Sequence, residues 1–207
     1  MYQVTELVPV GKTKYRVYLE GKSPFVLYRR ECITFGISED TAVPEECYEE
    51  MMTHLKKRAL KYAVYILEAS DRTEGQIRDK LHNAGYPEEA SDYVVEKLCG
   101  YHYIDDRNYA EHFVERNCNT MSIREMENKL YGKKVPEEII REVIVSYKSD
   151  NYDADEEAFL YHFNKKHIEP EALESKEKQK LSAYFLRKGF SYDLIRKYLN
   201  MDDTSGY

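Results

Sequence analysis

Asp105 and Asp106 are the first residues in this chain that could do chemistry, because adjacent carboxylates can hold a divalent cation. Neighbours on a helix point about 100° apart, however, and a hard cation needs several converging oxygens. An aspartate at 105 that caps the following helix accounts for the pair without a metal. His162 and His167 are five apart, off the i, i+4 spacing that one helix face offers to zinc. Cys32, Cys47, Cys99 and Cys118 contain no CxxC pair and read as buried or idle thiols. A phosphate loop of the form GxxxxGKS/T is missing, as are GxGxxG, HExxH and GxSxG. The expectation is a binding protein, not an enzyme, with no metal and no cofactor.

Charge then decides what could be bound. The 207 residues carry a net charge of -7, which argues against a surface that embraces DNA over its whole extent. The sign is unevenly spread. Residues 39–50 hold six acidic residues and no basic one, whereas 176–200 hold seven basic residues against two acidic. Such polarity suits docking on a composite acidic partner, a protein filament holding DNA, better than docking on bare duplex. Twenty tyrosines and no tryptophan occur, and Tyr62, Tyr93, Tyr109 and Tyr184 sit at helix-face positions as amphipathic packing residues. No apolar run approaches the ~20 residues of a membrane-spanning helix. The N-terminus has no basic start or apolar centre of a signal peptide, so a cytoplasmic location is expected.

The elements that must position the basic residues are short helices. In 59–104, Leu60, Val64 and Leu67 fall at i, i+4, i+7 and predict one inward face. Thr73 and Gln76 make a capping-box pair that opens a second helix, with Ile77, Leu81 and Ala84 inward and Gly85 placed to end it. Pro87 opens a third, with Ala90, Val94 and Leu98 buried. In 105–150, Tyr109, Phe113 and Val114 mark a first helix. Ser122 and Glu125 form a second capping box before Met126 and Leu130, and Pro136 precedes Ile140, Val143, Ile144 and Tyr147. In 151–200 the corresponding residues are Phe159, Leu160 and Phe163, then Leu181 and Phe185, with Gly189 as a stop and Ser191 as a cap. Residues 149–155 make an acidic junction, 167–175 a loop, and 201–207 a tail.

Ahead of these, Lys14 to Glu20 alternates with a period of two and Phe25 to Tyr28 makes another short strand, with turns at Gly11 and Gly21. A small antiparallel meander of three strands over 1–37 is expected, needing a helix to cover its apolar face. Arg30 to Phe35 reads as a brief helix closed by Gly36. Ser38 to Val43 reads as a polar connector, and Pro44 starts a connecting helix within 38–58 that carries Tyr48, Met51, Met52 and Leu55.

One layout recurs. Lys80 to Ala90 lines up with Lys129 to Ile139, sharing Lys-Leu and Pro-Glu-Glu in register, and more loosely with Tyr184 to Leu194. Copies spaced by roughly 50 residues are the mark of stacked supersecondary units. Arg72-Thr73-Glu74, Ile77-Arg78-Asp79-Lys80-Leu81, Gly85-Tyr86, Tyr103-Ile104-Asp105-Asp106 with Tyr109-Ala110, and Tyr184 to Phe190 together resemble the RecX family of bacterial recombination regulators. The resemblance runs from about Ala59 to Leu199 and is weaker in the N-terminal segment. It implies a mainly α fold of three tandem three-helix repeats in an elongated curved array, preceded by a small antiparallel β meander.

The same resemblance implies a monomer that binds the RecA filament on single-stranded DNA and inhibits its ATPase and strand-exchange activities, in DNA repair and recombination. Basic side chains of the repeats would meet RecA carboxylates or DNA phosphates, with weak direct DNA contact. The partner-binding candidates are Arg72, Arg78 and Lys80 in the first repeat, Arg124 and Lys129 in the second, and Arg187, Lys188 and Arg196 in the third. Two other classes compete. A stand-alone helical DNA-binding regulator would bind duplex tightly with a steep salt dependence, and a general helical scaffold would be separated only by partner capture.

Overall fold

The computed structural model describes residues 1–151 and 153–201, so the expected tail lies outside it from 202 onward. The chain divides into two compact units, Met1–Asp105 and Asp106–Tyr207. The first holds strands β1 (Tyr2–Val10), β2 (Lys14–Leu19), β3 (Phe25–Tyr28) and β4 (Ala42–Val43) and helices α1 (Arg29–Thr34), α2 (Glu45–Ala69), α3 (Glu74–Asn83) and α4 (Glu88–Gly100). The second holds α5 (Asp106–Asn117), α6 (Ile123–Gly132), α7 (Glu137–Asp150), α8 (Ala154–Lys165), a 3-10 turn at Pro170–Ala172, α9 (Ser175–Arg187) and α10 (Tyr192–Leu199).

In the first unit the strands form an antiparallel sheet in the order β3-β2-β1-β4. Alternation puts Val17 and Leu19 of β2 inward, where they join Phe25 and Leu27 in one core with Met51, Leu55, Ile77, Leu81 and Val94 of the helices. The fourth strand corrects the polar connector expected at Ser38 to Val43. Ala42 and Val43 pair with Gln3 and Tyr2, and the Val4 N–H donates to the Thr41 carbonyl at 2.9 Å. Two residues are too few to carry a period, so only the tertiary partner identifies them as a strand.

Helix α2 runs unbroken for 25 residues, straight through position 58/59, where the sequence reading placed a change of element. Its buried stripe is Met51, Met52, Leu55, Ala59, Ala63 and Ile66, while Val64 is 40% exposed. The inward face expected at Leu60, Val64 and Leu67 is therefore turned by one residue, leaving Leu60 and Leu67 half-buried beside the core. Both faces satisfy helical spacing. The face with two alanines wins because small side chains let the core of the unit, which includes Ala90, Val94 and Leu98 of α4, lie close against it.

All three helical triplets share one turn between their second and third helices. The Tyr86 N–H donates to Leu81 O at 3.1 Å, Val135 to Leu130 O at 3.2 Å and Phe190 to Phe185 O at 3.2 Å. The preceding residues Gly85, Lys134 and Gly189 take left-handed φ values of 83°, 64° and 92°. This is a Schellman closure, and in each case the side chain after it is buried: Tyr86, Val135, Phe190. Third helices then bury matching positions: Ser91, Val94 and Val95 in α4 and Ile140, Val143 and Ile144 in α7. The shorter α10 buries Ile195 and Leu199.

Candidate functional site

Ser122 caps α6, its Oγ accepting the Glu125 N–H at 3.1 Å. The same hydroxyl donates to the Lys188 carbonyl at 2.6 Å, on the turn that follows α9. That approach needs glycine at 189, because a Cβ there would stand 2.5 Å from Ser122 Oγ. Two further bonds fix the start of α6. The Ile123 N–H donates to Asp155 Oδ1 at 2.8 Å, and His162 Nε2 donates to Thr120 O at 2.8 Å. His162 is thus a strut between α8 and the segment before α6.

With α6 held there, its first two turns face the end of α9 across a cleft of about 470 Å³. Arg124, Lys129, Arg187 and Lys188 line it, with Asn128 and Glu125. Four of the eight basic candidates are brought together in this way. Glu125 Oε1 lies 3.4 Å from Lys129 Nζ, and Oε2 lies 3.4 Å from Lys188 Nζ. Arg124 and Arg187 are exposed and make no ion pair among the described residues. The cleft is therefore electropositive although the chain as a whole is acidic. The capping box expected from Ser122 and Glu125 is half-formed: the backbone half is present, but the Glu125 carboxylate does not reach back to the Ser122 N–H.

The other four candidates are placed differently. Arg78 Nε donates to Glu74 Oε1 at 2.7 Å and its Nη1 to Asp92 Oδ1 at 2.6 Å. These two bonds, Glu74 foremost, push its pKa above the ordinary arginine value and commit the guanidinium to α3 and α4. Arg72 is half-buried with its Nε sealed from solvent and unsatisfied, and Lys80 is exposed. Arg196 sits half-buried on α10, away from the cleft lining. Sequence reasoning missed Asn128 as a lining residue and Ser122 and Gly189 as the pair that builds the cleft. The Ser-x-x-Glu pattern at 122–125 marked the cap but not its second partner.

Among the described residues no group of three or more His, Cys, Asp and Glu side chains could hold a metal ion, and all four cysteines are free. Among the described residues no helix is long and apolar enough to cross a membrane.

Comparison with known proteins places this geometry in a family. The model of RecX, first three-helix domain, matches residues 59–98, and that of RecX, third three-helix domain, matches residues 154–199. The regulatory protein RecX of Caldanaerobacter subterraneus subsp. tengcongensis is 30% identical over 201 residues, covering 96% of this chain and 98% of that protein. The regulatory protein RecX of Clostridium botulinum is 31% identical over 205 residues, covering 95% of this chain and 94% of that protein. A crystal structure of regulatory protein RecX superposes with a TM-score of 0.59 at 22% identity, over 97% of this chain and 99% of the other. That of RecX from Lactobacillus salivarius gives 0.59 at 23% identity, over 72% and 98%. At those identities the structures attest the fold, while the near full-length relatives attest the descent. The chain belongs to the RecX family.

Proposed function

We propose that this chain is a cytoplasmic, monomeric regulator that binds the RecA filament on single-stranded DNA and restrains its ATPase and strand-exchange activities. The observation that carries this reading is the convergence of Arg124, Lys129, Arg187 and Lys188 on one cleft of a RecX-family fold. A filament of acidic protein surface and DNA phosphates offers anions in series, and a cluster of cations fixes register on such a polymer without reading sequence. The three-helix repeats, taken as 59–104, 105–150 and 151–200, are the units that present these cations. Regulation then needs only unequal affinity for the states of the filament, since a ligand shifts an equilibrium by its differential binding. The test is DNA-dependent ATP hydrolysis by RecA. Sub-stoichiometric protein should slow it, and the pair Arg187→Glu and Lys188→Glu should weaken that effect. Unchanged hydrolysis at saturating protein would discard the reading.

A further inference from the structure

Glu125 is the one carboxylate among the residues lining the α6–α9 cleft, and it leaves its capping box open. In α3 the third helical residue, Gln76, completes its capping box by accepting the Thr73 N–H at 3.3 Å. In α9 Glu177 does the same for Glu174 N at 3.1 Å. Glu125 holds the corresponding position in α6 and gives up that bond, turning one oxygen to Lys129 and the other to Lys188, each at 3.4 Å. Reaching back would gain one N–H donor, whereas the cleft offers two ammonium groups, and charge-assisted contacts are the stronger kind. The carboxylate is only 20% exposed, so it is seated in the cleft and not waving over it.

We propose that Glu125 is a built-in counter-ion of this cleft, standing where the phosphate oxygens of a single-stranded nucleic acid would lie, and that strand binding requires its displacement. This rests on reading the cleft as a contact surface. A phosphodiester presents two non-bridging oxygens, as the carboxylate does, and could bridge the same two lysines. Arg124 and Arg187, which also line the cleft and have no ion pair among the described residues, are left for the next phosphates along the strand. The fork of a guanidinium suits phosphate oxygens. The cleft, about 470 Å³ in volume, gathers these four cations on one concave surface that a flexible strand can follow. Glu125 thereby keeps intrinsic strand affinity low, so that anions in series, which engage all four cations together, are favoured over isolated ones.

The experiment is fluorescence anisotropy of a labelled oligothymidylate with the full chain, across a salt series and without RecA. Glu125→Gln preserves shape and frees two lysines, and it should bind roughly five- to tenfold tighter at low salt. Its salt dependence should steepen by about 1 in log–log slope. Glu127→Gln, the same change two residues on but outside the cleft lining, should leave both unchanged. Equal or weaker oligonucleotide binding by Glu125→Gln overturns the proposal, and so does tightening of RecA-filament binding alone, which would assign the cleft to protein carboxylates. A lowered melting temperature with unchanged binding also overturns it, leaving Glu125 a purely structural tie. If Glu125→Gln tightens oligonucleotide binding while the protein leaves RecA hydrolysis untouched, the proposal stands and the filament reading falls.

Discussion

A Cβ at Gly85 would overlap the Val26 side chain, and one at Gly189 would overlap Ser122 Oγ, whereas Lys134 carries its Cβ at the same turn and stays exposed. Gly85→Ala and Gly189→Ala should each lower stability by about 2–4 kcal/mol, combining left-handed strain with overpacking. Lys134→Gly should stay within about 1 kcal/mol of the parent in urea denaturation, because relief of strain and added chain entropy oppose each other. A second residue-scale test concerns Glu31. Burial raises its pKa, but hydrogen bonds from the Tyr28 N–H, Arg58 and His54 outweigh that and hold the carboxyl below its ordinary value. A depressed carboxylate contributes stability that is present above its unfolded pKa and lost as pH falls through the folded one. Acidification below the ordinary value of 4.5 should therefore destabilise the parent more than Glu31→Gln, read as the difference in melting temperature between neutral and acid pH. Neither contact was legible beforehand. The Glu31–Arg58 pair spans 27 positions and the Gly189–Ser122 contact spans 67, and no local pattern links residues so far apart.

At the scale of the element, α2 shows where periodicity stops being decisive. Leu60, Val64 and Leu67 obey helical spacing as well as Ala59, Ala63 and Ile66 do, and only packing on the rest of the unit selects between the two faces. Ala63→Leu should cost about 1–3 kcal/mol by overpacking, while Val64→Ser should change unfolding free energy by less than about 0.5 kcal/mol. Helices α3, α4, α6 and α10 were legible because their caps are local: Thr73, Pro87, Ser122 and Ser191 all stand at their starts. The candidate site was legible in part. A basic block at 176–200 and Arg124 with Lys129 are visible in sequence, and their meeting in one cleft is not. Arg78 was readable the other way, since Glu74 four residues earlier is an i, i+4 partner that ties it down.

At the scale of the whole molecule, the two glycine turns dock on different things. Gly189 rests on the start of α6, in the preceding triplet, whereas the Gly85 carbonyl accepts the Val26 N–H of β3 at 2.7 Å. The N-terminal sheet therefore serves the first triplet as the second triplet serves the third, closing an end that repeat proteins otherwise leave open. The Gly85 turn also covers the outer edge of β3, which explains why Phe25, Val26 and Leu27 are all buried. On the proposed function, a net charge of -7 beside a basic cleft makes the partner's anions, and the salt around them, the controlling variables. Sedimentation with preassembled RecA filaments on single-stranded DNA tests this most directly. Wild-type protein should pellet with the filament, and the double variant Arg124→Glu, Arg187→Glu should need at least about tenfold more protein at low salt, with a shallower salt dependence. Failure of the wild type to pellet at saturating concentration, or equal binding by the double variant, would contradict it.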